Sequence, residues 1–137
     1  MPDIQRFAVF IVAAFVLFVA VLRWIIRNRT TQPSCWSLAT LAMIVVPVGM
    51  IFARYSHILF QDLSWAVHYG VPALVTFVLP PLWLRMSRVE IAWYVPLAVG
   101  MAPIIHIFFS LFVGWHDYMP SPVYIPSVIE LASHIRP

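Results

Sequence analysis

The sequence predicts an all-α membrane protein, a four-helix transmembrane bundle followed by a short interfacial C-terminal helix. Three observations lead to this prediction: an apolar composition, four long apolar segments, and tryptophans at the segment ends. Of the 137 residues, 63% are apolar and 9% are charged, whereas a typical soluble domain is about 25% charged. A soluble chain this short exposes too much surface to hide so many apolar side chains. A lipid bilayer removes that difficulty.

The apolar segments have the lengths that transmembrane helices need. A bilayer core about 30 Å thick requires roughly 20 apolar residues in a helix, and none of the segments shows the alternation of a barrel strand. The first one is too long for the apolar core of a typical signal peptide, so we predict an uncleaved helix. Together the segments form a predicted transmembrane domain over residues 1–113. They are residues 7–26, 37–53, 66–84 and 91–113.

The C-terminal end of the second segment has two interpretations. If the helix continues to Phe60, Arg54 and His57 share one face and Asp62 becomes an ion-pair partner for the arginine. If the helix ends at Ala53, Arg54 extends to the lipid headgroups with its stem along the apolar surface. We favour the shorter helix.

Tryptophans mark the ends of the predicted helices. The indole ring prefers the headgroup level, where its apolar body contacts lipid while its N–H stays in contact with water. All six tryptophans lie at or near a predicted helix end, which supports the count of four spans. They are Trp24, Trp36, Trp65, Trp83, Trp93 and Trp115.

The arginines predict the orientation. All eight basic residues are arginine, and in a four-span topology five of them lie beside the 27–36 and 85–90 loops. The other three lie on the side of the two termini. Positive residues favour the cytoplasm, so we predict both termini outside. The arginine-only basic composition suggests a bacterial genome, which makes the inner membrane the expected location and places the termini in the periplasm.

Prolines interrupt three of the predicted helices: Pro47 in the second, Pro72 in the third, and Pro96 and Pro103 in the fourth. Each removes a backbone donor and frees a carbonyl one turn earlier, which usually bends the helix. Bending for packing is one interpretation. A polar cavity at the bends is the functional alternative.

Residues 114–137 form a proline-rich tail with a different pattern. Ser127 and Glu130 have the spacing of a capping box, and an apolar stripe follows them. About ten residues are too few to span a bilayer, so we predict a short amphipathic helix over residues 127–135. Such a helix lies in the headgroups or docks against a partner.

Several classes of function are excluded by missing motifs. There is no phosphate-binding glycine loop, no Gly-x-Ser-x-Gly elbow and no His-Glu-x-x-His pattern. The single cysteine, Cys35, cannot form an intramolecular disulfide or a Cys-x-x-Cys site. The arginines form no basic run, so we expect no nucleic-acid partner and interpret them as orientation signals and lipid contacts.

The histidines are the one chemically distinctive feature. Under the predicted topology all five lie in or beyond the outer half of the bundle, with Asp62 and Asp117 on the same side. Imidazole and carboxylate groups bind zinc, copper or iron, and histidine also carries protons near neutral pH. Their spacings match no known motif, and an interfacial, structural role is the alternative. The histidines are His57, His68, His106, His116 and His134.

His106 is the strongest single candidate, because an ionisable side chain inside a membrane helix is costly unless it faces a partner or water. A neutral histidine bonded to a neighbouring helix is the structural alternative. We predict His106 and His68 as cofactor ligands that face each other across the third and fourth helices. The cofactor is unknown. The candidate metal ligands are His57, His116 and Asp117.

We favour a non-catalytic accessory, assembly or structural membrane subunit, because the sequence has no charged pathway and no catalytic motif. One alternative is a metal- or haem-binding redox membrane subunit with an outer-side histidine cluster. Another is a small oligomeric transporter or channel. Membrane lipids are the expected partners, together with other membrane subunits or self-association.

Overall fold

The computed structural model describes residues 3–62, 64–114 and 126–128. This part of the chain is almost entirely helical and contains no β-strand. Its elements are α1 (Asp3–Ile26), α2 (Cys35–Met43), a π-helical segment (Ile44–Val48), α3 (Gly49–Leu59), α4 (Trp65–Trp83) and α5 (Arg88–Val113).

The four predicted apolar helices are confirmed by length and composition. The helical stretches that could cross a membrane are Ile4–Ile26, Cys35–Ser56, Ala66–Trp83 and Arg88–Val113. The second stretch is continuous from α2 through the π-helical segment into α3, and we call α2, this segment and α3 together the second span. The chain is therefore all-helical in its described part and consistent with an integral membrane protein.

The second span is longer than the predicted 37–53 helix. It begins at Cys35, where the Ser34 hydroxyl caps the first turn by accepting from the Ser37 N–H at 3.2 Å. It runs to Leu59 and does not end at Ala53. The hydropathy falls at Arg54, but the helix continues through this residue, whose guanidinium packs 4.6 Å from the centroid of the Phe7 ring of α1.

Pro47 lies inside the π-helical segment. A proline in a regular α-helix clashes with the carbonyl four residues earlier and removes one hydrogen bond. The wider π turn, with i→i+5 bonding, gives that ring room. The span therefore passes the proline without ending.

The later helices also begin or end slightly away from the predicted bounds. Helix α4 passes through Pro72, Pro80 and Pro81 before ending at Trp83. Helix α5 begins at Arg88, three residues before the predicted start. It has a full capping box at Ser87 and Glu90, because each side chain accepts from the other residue's backbone N–H.

The helices surround two apolar clusters. Helix α1 packs between α5 and the second span, and α4 packs mainly against α3, with a smaller contact to α5. The larger cluster includes Phe18, Leu22, Leu41 and Tyr94, all without exposed surface. A smaller one joins Phe10, Ile105 and Phe109.

The bundle has two chemically distinct ends. At the arginine end, α1 and α4 finish and α2 and α5 begin, and five arginines lie there: Arg23, Arg27, Arg29, Arg85 and Arg88. At the histidine end, α1 and α4 begin and α3 and α5 finish. Of the tail, only residues 126–128 are described, so all but the first two residues of the predicted helix over residues 127–135 lie outside the described part.

Candidate functional site

The buried polar side chains of the described residues collect at the histidine end. They are Ser56, His68, His106, Ser110 and Ser127. Burying a polar group costs free energy unless it is hydrogen-bonded, so each of these side chains needs a partner inside the protein. Ser127 of the tail belongs to this end because it lies against Gly114, which closes α5 with a left-handed φ of 68°.

His68 connects two helices. It is the fourth residue of α4, its side chain is 1% exposed, and its Nδ1 atom lies 2.9 Å from the Ser56 hydroxyl of α3. The extension of the second span past Ala53 brings Ser56 to this position. A helix ending at Ala53 would have left the imidazole without this contact.

His106 lies inside the bundle and does not face its outer surface. Its side chain is 7% exposed, and Ser110, one helical turn later, is fully buried. Its neighbours Ile105 and Phe109 pack against Phe10 of α1, with 4.4 Å between the two phenylalanine ring centroids. The structure thus brings His68 and His106 to the same end of the bundle as buried groups, and their role as ligands stays a prediction.

The predicted metal ligands are described only in part. His57 lies in α3 near its end, whereas His116 and Asp117 lie outside the described residues. Within residues 3–62, 64–114 and 126–128, no group of three or more His, Cys, Asp or Glu side chains is arranged to hold a metal ion.

The arginine end contains a charged site that the sequence reasoning missed. Arg29, in the loop after α1, makes a bidentate pair with Glu90 of α5, with both N···O distances at 2.7 Å. Its remaining donors reach the carbonyls of Leu84 at 2.8 Å and Arg85 at 3.4 Å. The hydrogen bonds that Arg29 donates to the Glu90 carboxylate raise the pKa of Arg29 above its usual value. One guanidinium therefore holds the turn between α4 and α5 against the end of α1.

A signal for this site was present in the sequence. Ser87-Arg-Val-Glu90 is a capping-box pattern directly before an apolar run, and it predicts both the start of α5 and a fixed carboxylate beside the arginine-rich loops. The arginines by themselves indicate only orientation and lipid contacts, and nothing in their spacing indicates which one pairs with Glu90.

Other polar groups also connect neighbouring helices. The Trp83 indole N–H donates to the Ser37 hydroxyl at 3.0 Å, joining α4 to α2. The Tyr94 hydroxyl of α5 donates to the Thr76 carbonyl of α4. These two contacts, like His68–Ser56 and Arg29–Glu90, each join a helix to a neighbouring helix or loop through polar groups.

No protein family, curated protein or solved structure matches this chain.

Proposed function

We propose that this protein is a four-helix transmembrane bundle that serves as a non-catalytic accessory or assembly subunit. The observation that carries the proposal is that polar side chains connect neighbouring parts of the bundle. His68, Trp83, Tyr94 and Arg29 each contact an adjacent helix or turn. Polar groups used in this way stabilise a scaffold, and a scaffold acts through the surface that it presents to other membrane proteins.

The same proposal includes a location in a bacterial inner membrane with both termini in the periplasm. Its support is the charge distribution, because five of the eight arginines lie at the arginine end. Positive residues near span ends favour the cytoplasmic side. The histidine end then faces the periplasm.

Helix α4 offers the surface for a partner helix. Ala66, Gly70 and Ala73 are exposed and follow one another at helical spacing on one face. A side chain added at Gly70 would meet no neighbouring atom within 4 Å. Small residues let membrane helices approach closely, since dispersion contacts and not the hydrophobic effect drive their association. The expected partner is an apolar transmembrane helix of another subunit or of a second copy.

Site-directed photo-crosslinking in native membranes tests this proposal. A photoactivatable maleimide is attached to Gly70→Cys in a Cys35→Ser background, so that the probe has one attachment point. Ala20→Cys on the exposed face of α1 is the matched control. We expect a discrete adduct with a membrane protein from position 70 and none from position 20.

A second substitution tests whether the adduct depends on the small-residue face of α4. Ala73→Leu enlarges the same face and should reduce the adduct from position 70 several-fold, while Ala20→Leu should leave it unchanged. Identical adducts from both probe positions would indicate random collisions and contradict the proposal, as would the absence of any adduct from position 70.

A membrane redox subunit is the second candidate, favoured by the two buried imidazoles at one end. Metal-ligating histidines usually hydrogen-bond through their other ring nitrogen, and the His68–Ser56 contact has that form. Protein purified in mild detergent distinguishes the two candidates. A Soret band or a stoichiometric metal that His106→Leu abolishes would establish the redox function, and featureless spectra with no bound metal would eliminate it.

A further inference from the structure

A cleft lies at the arginine end, between the C-terminal end of α1 and the N-terminal end of α5. Its volume is about 570 Å³, and its lining includes Trp24, Arg27, Arg29, Glu90 and Trp93. This volume is within the usual range for small-molecule sites, about 300–1,000 Å³. Two arginines and one glutamate line the cleft, so its charged side chains sum to one positive charge.

The two arginines have different roles. Arg29 uses its donors on Glu90 and on the carbonyls of the α4–α5 turn, so it fixes the wall of the cleft. Arg27 is exposed, and in the described part of the chain its guanidinium donates one hydrogen bond, from Nη1 to the Trp24 carbonyl at 3.0 Å. A guanidinium has five N–H donors. Arg27 therefore presents unused donors and an uncompensated charge to the cleft.

An aromatic wall holds the Arg27 guanidinium in place. Arg27 lies over the Trp24 ring at 4.2 Å from its centroid. Trp24 in turn meets Trp93 of α5 edge-on, with 5.9 Å between the ring centroids. Both indoles are partly exposed, as expected for rings at the headgroup level. The cleft thus has a cation just past the end of α1 and two indole rings within α1 and α5.

We propose that this cleft binds the phosphate headgroup of an anionic phospholipid. The Arg27 donors bind the phosphate, because guanidinium groups recognise phosphate through paired N–H donors. Trp24 and Trp93 pack beside the glycerol and the first part of the acyl chains. Basic pockets between membrane helices bind anionic headgroups in this manner. The proposal rests on the insertion of the four helices in a bilayer and is independent of the accessory role.

Native mass spectrometry of the full chain in detergent tests the proposal. The protein is titrated with phosphatidylglycerol and, separately, with zwitterionic phosphatidylcholine. We expect one saturable phosphatidylglycerol adduct, with at least tenfold weaker binding of phosphatidylcholine. Arg27→Gln should weaken phosphatidylglycerol binding about tenfold, and Arg27→Lys should restore it only in part, because lysine lacks the planar fork of donors.

Two control variants separate a site from general surface charge. Arg88→Gln removes an exposed charge at the same end, outside the cleft lining. Arg54→Gln removes another ring-stacked arginine, at the histidine end. Both should bind phosphatidylglycerol within about twofold of wild type. If Arg88→Gln weakens binding as much as Arg27→Gln does, the charge acts diffusely and the site does not exist.

A soluble competitor identifies the source of the phosphate. Glycerol 3-phosphate carries the same phosphate chemistry without acyl chains, so it should displace the lipid adduct poorly even at millimolar concentration. Trp93→Ala should weaken lipid binding several-fold while leaving any binding of glycerol 3-phosphate unchanged. Full displacement by glycerol 3-phosphate, or no effect of Trp93→Ala on the lipid, would overturn the assignment to a phospholipid.

Discussion

Single polar residues determine how the helices of this bundle meet. His68 is almost completely buried, and its ring lies at hydrogen-bond distance from Ser56. In hydrocarbon a polar group cannot exchange a protein partner for water. Interhelical hydrogen bonds in membrane proteins nevertheless contribute only about 0.6 kcal/mol on average, because the unfolded helices also find partners. The contact therefore contributes more to specifying how α3 meets α4 than to overall stability.

Replacing Ser56 tests this contact at the residue scale. We expect Ser56→Ala to lower the free energy of unfolding in mixed micelles by about 1 kcal/mol, because the imidazole loses a buried partner. Ser37→Ala is the control, since it removes a hydroxyl that bonds the partly exposed Trp83 indole, and it should cost less than about 0.5 kcal/mol. Equal losses for the two variants would show that burial of the His68 contact has no special effect.

The sequence supported an internal position for His106 but did not predict the burial of His68 or the contacts of either residue. An ionisable histidine inside a membrane helix is costly without a partner, and His106 is buried. His68 is buried as well. The sequence did not predict Ser56 as the partner of His68, because Ser56 lies beyond the predicted end of the second span. The Arg29–Glu90 pair was missed for a different reason: it joins the loop after α1 to the first turn of α5, and the separation of these two residues along the chain carries no periodic signal.

At the scale of helices, the π-helical segment over Ile44–Val48 lets the second span continue past Pro47. A π turn contains one residue more than the α turn that it replaces, and it gives Pro47 room within a continuous helix. A hydropathy profile detects neither the extra residue of the π turn nor the room that it gives Pro47. It underestimated the span because it weighs Arg54 as a charged residue, while the structure stacks that side chain on Phe7.

Single-residue deletions test the π turn. Deleting Pro47 removes the extra residue together with the proline, so α2 and α3 should join as a regular α-helix with their faces unchanged. We expect a loss of less than about 2 kcal/mol in unfolding free energy. Deleting Val16, an exposed residue of α1, should be far worse. It rotates the rest of α1 by about 100° and turns Phe18 and Leu22 out of the core.

Circular dichroism and unfolding in mixed micelles measure both deletions. The Val16 deletion should lose several kcal/mol or fail to fold, because large buried side chains each contribute about 2–5 kcal/mol. Equal tolerance of the two deletions would contradict the assignment of an extra residue to the π turn.

At the scale of the whole molecule, the separation of charge and polarity connects the proposals. The arginine end combines a structural ion pair with a cleft that suits an anionic headgroup. The histidine end gathers the buried polar residues. A bundle with such different ends is suited to a fixed orientation in a membrane. The fold class was predictable from composition and segment length.

Cysteine accessibility in intact cells tests most directly the claim that four helices cross the membrane. Single cysteines replace Gln5, Thr31, Gln61 and Arg88 in a Cys35→Ser background, because these exposed positions alternate between the two ends. A membrane-impermeant maleimide should label positions 5 and 61 in cells whose outer membrane alone is permeabilised. Positions 31 and 88 should react only after the inner membrane is opened. If all four positions react equally before that step, the helices do not span the membrane and the central claim fails.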